Sequence, residues 1–439
     1  MRIEIKDKKY FIKLFNTLFP NNTIKDINGI TIDSRKVQKG DIFIALKGEN
    51  HDGHKYIKTI YNKAQICISQ NQMNKKNIIN FSENNNEFIS YLSSKWREHS
   101  NAEIFGITGS NGKTTTKDLI YHIFQKKFKC SKSIGNHNNS IGLPLSFLRT
   151  KISDEYSILE LGASKPGEIK KLCKIFKPQY GLITNISNAH IKNFESLREI
   201  LKTKLAIYES LPSNGVAFIN NDSKYMQKLK LKCNQVTYGF KNTSNYNGIV
   251  NNDILTINKK HKIQIPRHLN HLTELILSTF AISHHFKINI HDYQEAINSF
   301  QLPDGRGKIN KYKESNIIDD SYNANPKSLK LGLERFIKLN TNNKKKIIII
   351  GDMLELGKDS IDEHSKIGIF ISKTNFDHVL TYGEKSRFIT ENISNKKINS
   401  EHFNKFKNLK KTFDKIIDKD DWVYIKGSRS MKLDRLLKT

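Results

Sequence analysis

The stretch GITGSNGKTTTKD, residues 106 to 118, follows the apolar run AEIF and leads into a segment whose Leu119, Ile120, Ile123 and Phe124 recur at helical spacing. A strand that turns through glycines into a helix can direct backbone N–H groups and the positive end of the helix dipole at an anion. The usual G-x-x-x-x-G-K-[ST] spacing is not met, because the position five before Gly112 is Ile107. The physical requirements are met all the same. Gly109 and Gly112 permit close backbone approach, with Ser110 and Asn111 in the turn between them. Lys113 supplies the cation, and Thr114 or Thr115 a hydroxyl suited to Mg²⁺. The order strand, loop, Lys-Thr, helix predicts a nucleotide loop in a shortened register.

Working outward, the strand-like YSILELG (156 to 162) and YGLITNIS (180 to 187) are separated by a polar, helix-like segment. That rhythm predicts a mostly parallel sheet wrapped by helices. Upstream, Ile30-Thr31-Ile32 and the run 41 to 46 flank the turn-prone Lys39-Gly40 and read as a small α/β unit. Beyond the dense turn chemistry of Leu302 to Gly307 the rhythm restarts with NIIDDSY, KKKIIIIGDM, HVLTYG and WVYIKGS. We therefore expect three α/β domains: a small amino-terminal unit over 1–98, a central P-loop-type sheet over 99–302 and a Rossmann-like carboxy-terminal domain over 303–439. A length of 439 residues agrees with the soft prior of about 150 residues per domain.

The formal net charge is +30, yet the lysines are spread along the chain, with only short runs such as Lys344-Lys345-Lys346 and no aromatic-interleaved basic stretch. This disfavours a nucleic-acid partner, while the field still attracts anionic small molecules. With no early apolar region and no apolar run long enough for a bilayer, the expected setting is the cytoplasm, without a membrane span. Cys67, Cys130, Cys173 and Cys233 lie far apart, so reduced, mostly buried thiols are expected.

The form T-G-S-N-G-K-T-T resembles the variant phosphate loop of the Mur ligase superfamily, the ATP-dependent amide-forming enzymes of peptidoglycan precursor synthesis. The resemblance runs the length of the chain. TIDSRKVQKGDIFIALKGENHDGHKYI (31 to 57) resembles the family's uridine-nucleotide domain. GNHNNSIGLPLSFL, ELGASKPGEI, ITNISNAHI and KTKLAIYESL resemble central-domain motifs, and DGRGK, DDSYNANPKSL, GDMLELG and VYIKGSR follow in family order. DSYNANP with GDMLELG looks most like the branch that adds a dipeptide. No D-N-P-R motif of the diaminoacid-adding branch is present, and folylpolyglutamate synthetases, also in the superfamily, lack the uridine domain.

The resemblance implies ATP and two Mg²⁺ sites, a UDP-N-acetylmuramoyl-tripeptide donor, D-alanyl-D-alanine as acceptor, an acyl phosphate between them, and a monomer. It implies metal contacts from Thr114, Glu160, His190 and Lys204, the lysine as its CO₂ carbamate, an oxygen donor that Mg²⁺ accepts. As residues alone, Glu160 is a metal ligand or a solvated strand end, His190 a structural histidine or a ligand, and Lys204 an ordinary solvated lysine, with Lys202 a rival in register. Arg306 resembles an arginine that reaches the nucleotide from the hinge, and Asp320, with Asp319 one place away, an acidic residue near the ribose. Asn323 and Asn325 would lie near the incoming amine, and Lys426, Ser428 and Arg429 would contact substrate or stand exposed. Ser34 and Arg35 resemble a pair at the uridine diphosphate, while Asn136, Asn138 and Asn139 would orient phosphate or sugar oxygens. One departure stands out: IPRHLNHLTELIL (265 to 277) lacks the family's G-x-H-N-x-x-N segment, with Glu274 or Thr273 at the second Asn position, so no adenine contact is assigned.

Overall fold

The computed structural model describes all residues except 49–50, 82–84, 188–193, 195, 228 and 439. Among the described residues the strands form three sheets. The first holds β1 (Arg2–Glu4), β2 (Gly29–Thr31), β3 (Asp41–Ile44), β4 (Ile66–Ser69) and β5 (Ile78–Asn80) in sequence order, parallel except for the β1–β2 pair.

The second sheet begins with β6 (Glu103–Thr108), β7 (Cys130–Lys132), β8 (Tyr156–Glu160), β9 (Tyr180–Ile183), β10 (Val216–Asn220) and β11 (Asn234–Gly239). It ends in β12 (Tyr246–Asn251), β13 (Ile254–Ile257) and β14 (His261–Gln264), in the order β14-β13-β12-β11-β10-β9-β6-β8-β7. The strands β7 to β12 pair in parallel, and β12 to β14 form an antiparallel meander. Because β6 lies between β8 and β9, the loop after β6 and the carboxy-terminal ends of both neighbours open onto one crevice, where ligands of open α/β sheets bind.

The third sheet runs β15-β16-β20-β17-β18-β19, with β15 (Lys308–Tyr312), β16 (Ser315–Asp319), β17 (Lys346–Gly351), β18 (His378–Tyr382), β19 (Asn399–Phe403) and β20 (Trp422–Lys426). Only β15–β16 is antiparallel. The run KIIIIG of β17 is buried at every position, as a central parallel strand covered on both faces should be.

Two helices of the second domain carry residues expected at the site. Lys113–Phe124 starts where Gly112 takes φ +80° and buries Leu119, Ile120, Ile123 and Phe124, the last ring packing on Phe286 at 4.8 Å. Leu197–Glu209 starts at Ser196, whose Oγ accepts from Glu199 N at 3.2 Å. Its buried stripe is Ile200, Thr203, Lys204 and Ile207, the i, i+3, i+4, i+7 spacing of a core-facing helix. A lysine therefore occupies an apolar position.

The four cysteines are free, and burial raises every thiol, Cys67 and Cys173 to about 12. No helix among the described residues is long and apolar enough to cross a membrane.

The first sheet joins the second through the helix Asn85–His99. Trp96, fully buried, donates Nε1–H to Thr150 O at 3.0 Å, and Arg97 donates to Phe176 O at 2.9 Å. Trp96→Ala removes a large core side chain and leaves that carbonyl unanswered, so a loss of about 3–5 kcal/mol is expected in chemical denaturation. Ile249→Ala, at a 53 % exposed site, should change the midpoint little; similar effects for the two would refute this packing.

Candidate active site

The loop after β6 is braced from the segment after β9. Ser110 N donates to Asn185 O (2.9 Å), Asn111 N to Asn185 Oδ1 (3.1 Å) and Thr184 Oγ1 to Asn111 O (2.6 Å). Ser110 Oγ donates to Ser187 O at 3.0 Å. At Gly109, φ is +145° and an added Cβ would lie 1.9 Å from Thr184 Oγ1, so no other residue fits. The Ser110 and Asn111 amides are thus held by protein acceptors. The N–H groups at the start of the following helix, which lack intrahelical acceptors, remain to face a phosphate.

Lys113 folds back over this loop, its Nζ donating to Gly109 O (2.8 Å) and Ser110 O (3.2 Å). Burial lowers its pKa, opposed by Glu160 and reinforced by Arg306. Thr114 Oγ1 donates to Glu160 Oε2 at 2.8 Å, and Thr115 beside it is buried. Glu160, 1 % exposed at the end of β8, accepts from Asn138 Nδ2 on its other oxygen at 2.7 Å. A hydroxyl and an oriented carboxylate beside the helix start form an oxygen donor set suited to a hard divalent cation.

Lys204, 5 % exposed, has no hydrogen-bond partner among the described residues. Burial, with a smaller contribution from the Lys113 charge, lowers its pKa to about 7. Lys202 is exposed on the same helix, so Lys204 is the lysine turned inward. His190 lies outside the described residues.

The third domain closes the cleft from the other side. Arg306 Nη2 donates to Thr114 Oγ1 at 3.1 Å, and its guanidinium lies 3.7 Å from the centre of the Tyr322 ring. Asn325 Nδ2 donates to Asn111 Oδ1 at 2.7 Å while its own Oδ1 caps the helix Pro326–Lys338. Asp320 accepts from Lys426 Nζ (2.6 Å) and Tyr424 OH (2.8 Å), whereas Asp319 accepts from Ser321 within its own turn (backbone N, 3.1 Å). Asp320 lines the cleft and Asp319 does not. Ser428 Oγ accepts from Leu354 N at 2.8 Å. The cleft has a volume of about 1140 Å³.

Of the expected site residues, the loop from Ser110 to Thr115, Asn136, Glu160, Arg306, Asp320, Asn323, Asn325, Lys426, Ser428 and Arg429 line this one cleft. Asn139 instead turns its Oδ1 to the backbone where the helix Gly142–Phe147 begins, accepting from Gly142 N at 2.7 Å. Ser34 and Arg35 sit apart in the first domain, where Arg35 is 87 % exposed and paired with Asp33 at 2.9 Å. That pair holds the Asp33 carboxyl down at about 2.

Sequence reasoning missed three participants. Lys117, fully buried, donates to Ser133 O (3.0 Å) and Gly135 O (2.8 Å), fixing the segment that carries Asn138 to Glu160. Its position one helical turn after Lys113 was the available signal. Tyr322 was hidden inside a motif read for its asparagines. His271, whose pKa burial and the Arg335 charge lower to about 4, faces the cleft as a neutral imidazole near Glu274, which accepts from Asn220 at 2.6 Å.

Comparison with known proteins gives the same picture at the level of the chain. Residues 26–103 match the family described as "Mur ligase family, catalytic domain", 107–290 "Mur ligase middle domain" and 305–429 "Mur ligase, glutamate ligase domain". The chain belongs to the Mur ligase family. Within it, a Rickettsia prowazekii protein named UDP-N-acetylmuramoyl-tripeptide–D-alanyl-D-alanine ligase is 33% identical over 434 residues, covering 93% of this chain and 94% of its own. A Bacillus subtilis protein of the same name is 29% identical, covering 94% and 93%. Among solved structures, MurF from Thermotoga maritima in complex with ADP is similar with a TM-score of 0.79 at 25% identity, covering 93% of this chain and 96% of that one. MurF from Acinetobacter baumannii shares the fold, with a TM-score of 0.84 at 22% identity and 97% of each chain covered.

Lys204 yields a test in CO₂-free buffer. Its folded-state pKa is near 7 against 10.5 for the free side chain, so between these values the unfolded chain binds a proton that the folded chain does not. Stability should therefore rise from about pH 7 towards 10.5 and be reduced at and below neutrality. In Lys204→Met this contribution vanishes; urea midpoints that rise equally in both proteins from pH 7 to 9 would contradict the burial of the amine.

Proposed function

We propose that this protein is an ATP-dependent amide ligase that joins D-alanyl-D-alanine to UDP-N-acetylmuramoyl-tripeptide, giving the pentapeptide precursor of peptidoglycan, ADP and phosphate. The observation that carries the reading is the Thr114–Glu160 pair beside the loop, met by Arg306 from the third domain. The full-length relatives named for this reaction support it. The donor's terminal carboxylate attacks the γ-phosphorus of ATP and ADP leaves; the dipeptide amine then attacks the acyl carbon, and phosphate and a proton are released. Phosphoryl transfer depends on positioning and on neutralising charge. The ADP-bound structural neighbour supports nucleotide binding here.

In this assignment the helix-start amides and Lys113 hold the terminal phosphates, and Arg306 approaches them across the domain boundary. Asn325, already in contact with Asn111, brings the acceptor side to the loop. Thr114 and Glu160 would hold Mg²⁺, with Lys204 as a carbamate and His190 as further ligands; the metal would supply electrostatic stabilisation of the transferred phosphoryl group. The buried amine near pH 7 supports the carbamate, because only a neutral amine adds to CO₂ and the product carries a negative charge beside Lys113. The first domain, with Ser34 and Arg35, is assigned to the uridine diphosphate end of the donor, and the cytoplasm is the compartment that supplies ATP.

Coupled ADP-release assays should show turnover only when ATP, Mg²⁺, the uridine-linked tripeptide and D-alanyl-D-alanine are all present, with Lys113→Ala lowering kcat/KM by about 100- to 1000-fold. Turnover with a different acceptor alone would reject the assignment. Lys204→Ala should be inactive and regain part of its rate with added formate or acetate, as the small carboxylate replaces the carbamate; equal rates with and without them would remove the carbamate from the mechanism.

A further inference from the structure

Beyond β20 the chain passes Ser428 into a short 3₁₀ helix, Leu433–Leu437. With three residues per turn, side chains at i and i+3 stack over one another. Leu433 and Leu436, both fully buried, make the row that locks this helix into the apolar layer of the third sheet. Arg435 lies on a different side, flanked by Lys432 and Lys438, and all three line the same cleft as the phosphate loop.

Arg435 is held in place yet has no anionic partner among the described residues. Its guanidinium lies over the Phe406 ring, 3.7 Å from the centre, and Nη2 is 3.5 Å from Tyr382 OH. Its Nε is buried without an acceptor. The neighbouring carboxylate of Asp434 is directed elsewhere, 3.8 Å from Arg429 and 4.0 Å from Lys438. Lys426, buried on this side, is already paired with Asp320 at 2.6 Å. An aromatic shelf that fixes the plane of a guanidinium and leaves its outer edge unanswered suits a planar, bidentate anion such as a carboxylate. Leu331 and Leu354, which line the same cleft, present apolar surface, 41 % and 40 % exposed, of the kind a short aliphatic peptide needs.

We propose that Arg435, assisted by Lys432 and Lys438, binds the free carboxylate of the incoming dipeptide. This rests on the ligase reading above. The acceptor has a single anionic end, and anchoring it on the carboxy-terminal wall leaves its amine free to face the carboxyl group activated at the loop. Selection for a free carboxyl terminus then resides in the segment 432–438.

The test compares D-alanyl-D-alanine with D-alanyl-D-alaninamide, in which the carboxylate is neutral, as acceptors for the wild type, Arg435→Gln and Arg435→Lys. A charge-assisted contact predicts that amidation raises the acceptor KM of the wild type about 10- to 100-fold. Arg435→Gln should raise the KM of the acid by a similar factor and leave the amide's KM and the KM for ATP unchanged, so that the two acceptors become equivalent. Arg435→Lys, which keeps the charge but not the fork, should fall between. An Arg435→Gln enzyme that still discriminates as the wild type does, or one that loses both acceptors equally, overturns the proposal. Should Arg435→Gln fail to fold, unchanged discrimination in Arg435→Lys together with Lys432→Gln overturns it as well. A wild type that turns over both acceptors with equal KM sinks this inference alone, whereas a wild type that uses neither sinks the ligase reading and this one with it.

Discussion

A carboxylate placed almost out of reach of solvent governs the centre of this molecule. Glu160 ends a buried parallel strand, and leaving an ionised group there unpaired would be costly. Its two oxygens are instead answered from opposite sides, by the first helical threonine after the loop and by Asn138. Each partner needs its own support. Thr114 is positioned by the turn through Gly109 and Gly112, and Asn138 by a segment fastened to Lys117 through two backbone carbonyls. The order β9-β6-β8 in the second sheet follows the same demand, since it sets the loop and the carboxylate on adjacent strands.

Three lysines share this small region, and each is treated differently. Lys113 donates to loop carbonyls, and Lys117 to carbonyls with Asp118 3.5 Å away. Lys204 has neither, so its amine is driven towards the neutral form. Positive charge accumulates next to a single buried carboxylate, an arrangement better suited to a bound polyanion than to an empty cleft. The third domain adds Arg306 and Arg429, with Tyr322 between them at 3.7 and 5.7 Å. Hydrogen bonds from Arg306 and Asn325 tie that domain directly to the loop.

Much of the fold was legible because its signals are local. Glycines at a strand-to-helix turn, apolar runs of strand length and the restart of the rhythm after Gly307 each report on a few consecutive residues. The antiparallel meander β12 to β14 was not anticipated, since its short, polar-rich strands give little periodic signal and owe their pairing to the edge of β11. At the site, Lys113 and Thr114 were legible from their places at a helix start and Glu160 from its place at a strand end. Lys117 was not, because in a chain with 73 lysines and arginines a place one turn after Lys113 does not by itself mark a side chain as buried. The choice between Asp319 and Asp320 was equally closed to the sequence, because successive residues at the end of a strand point to opposite faces and only the neighbours decide which face is the cleft.

The sequence by itself determined the class of fold and the family, both of which depend on residue order over short windows. The tertiary structure alone decided which of two lysines turns inward, that Asn138 reaches Glu160, and that Lys426 is answered by Asp320 while Arg435 faces the cleft without a carboxylate partner among the described residues. These outcomes depend on desolvation and on charge partners brought together from residues more than twenty places apart, distances over which sequence spacing carries no geometric information.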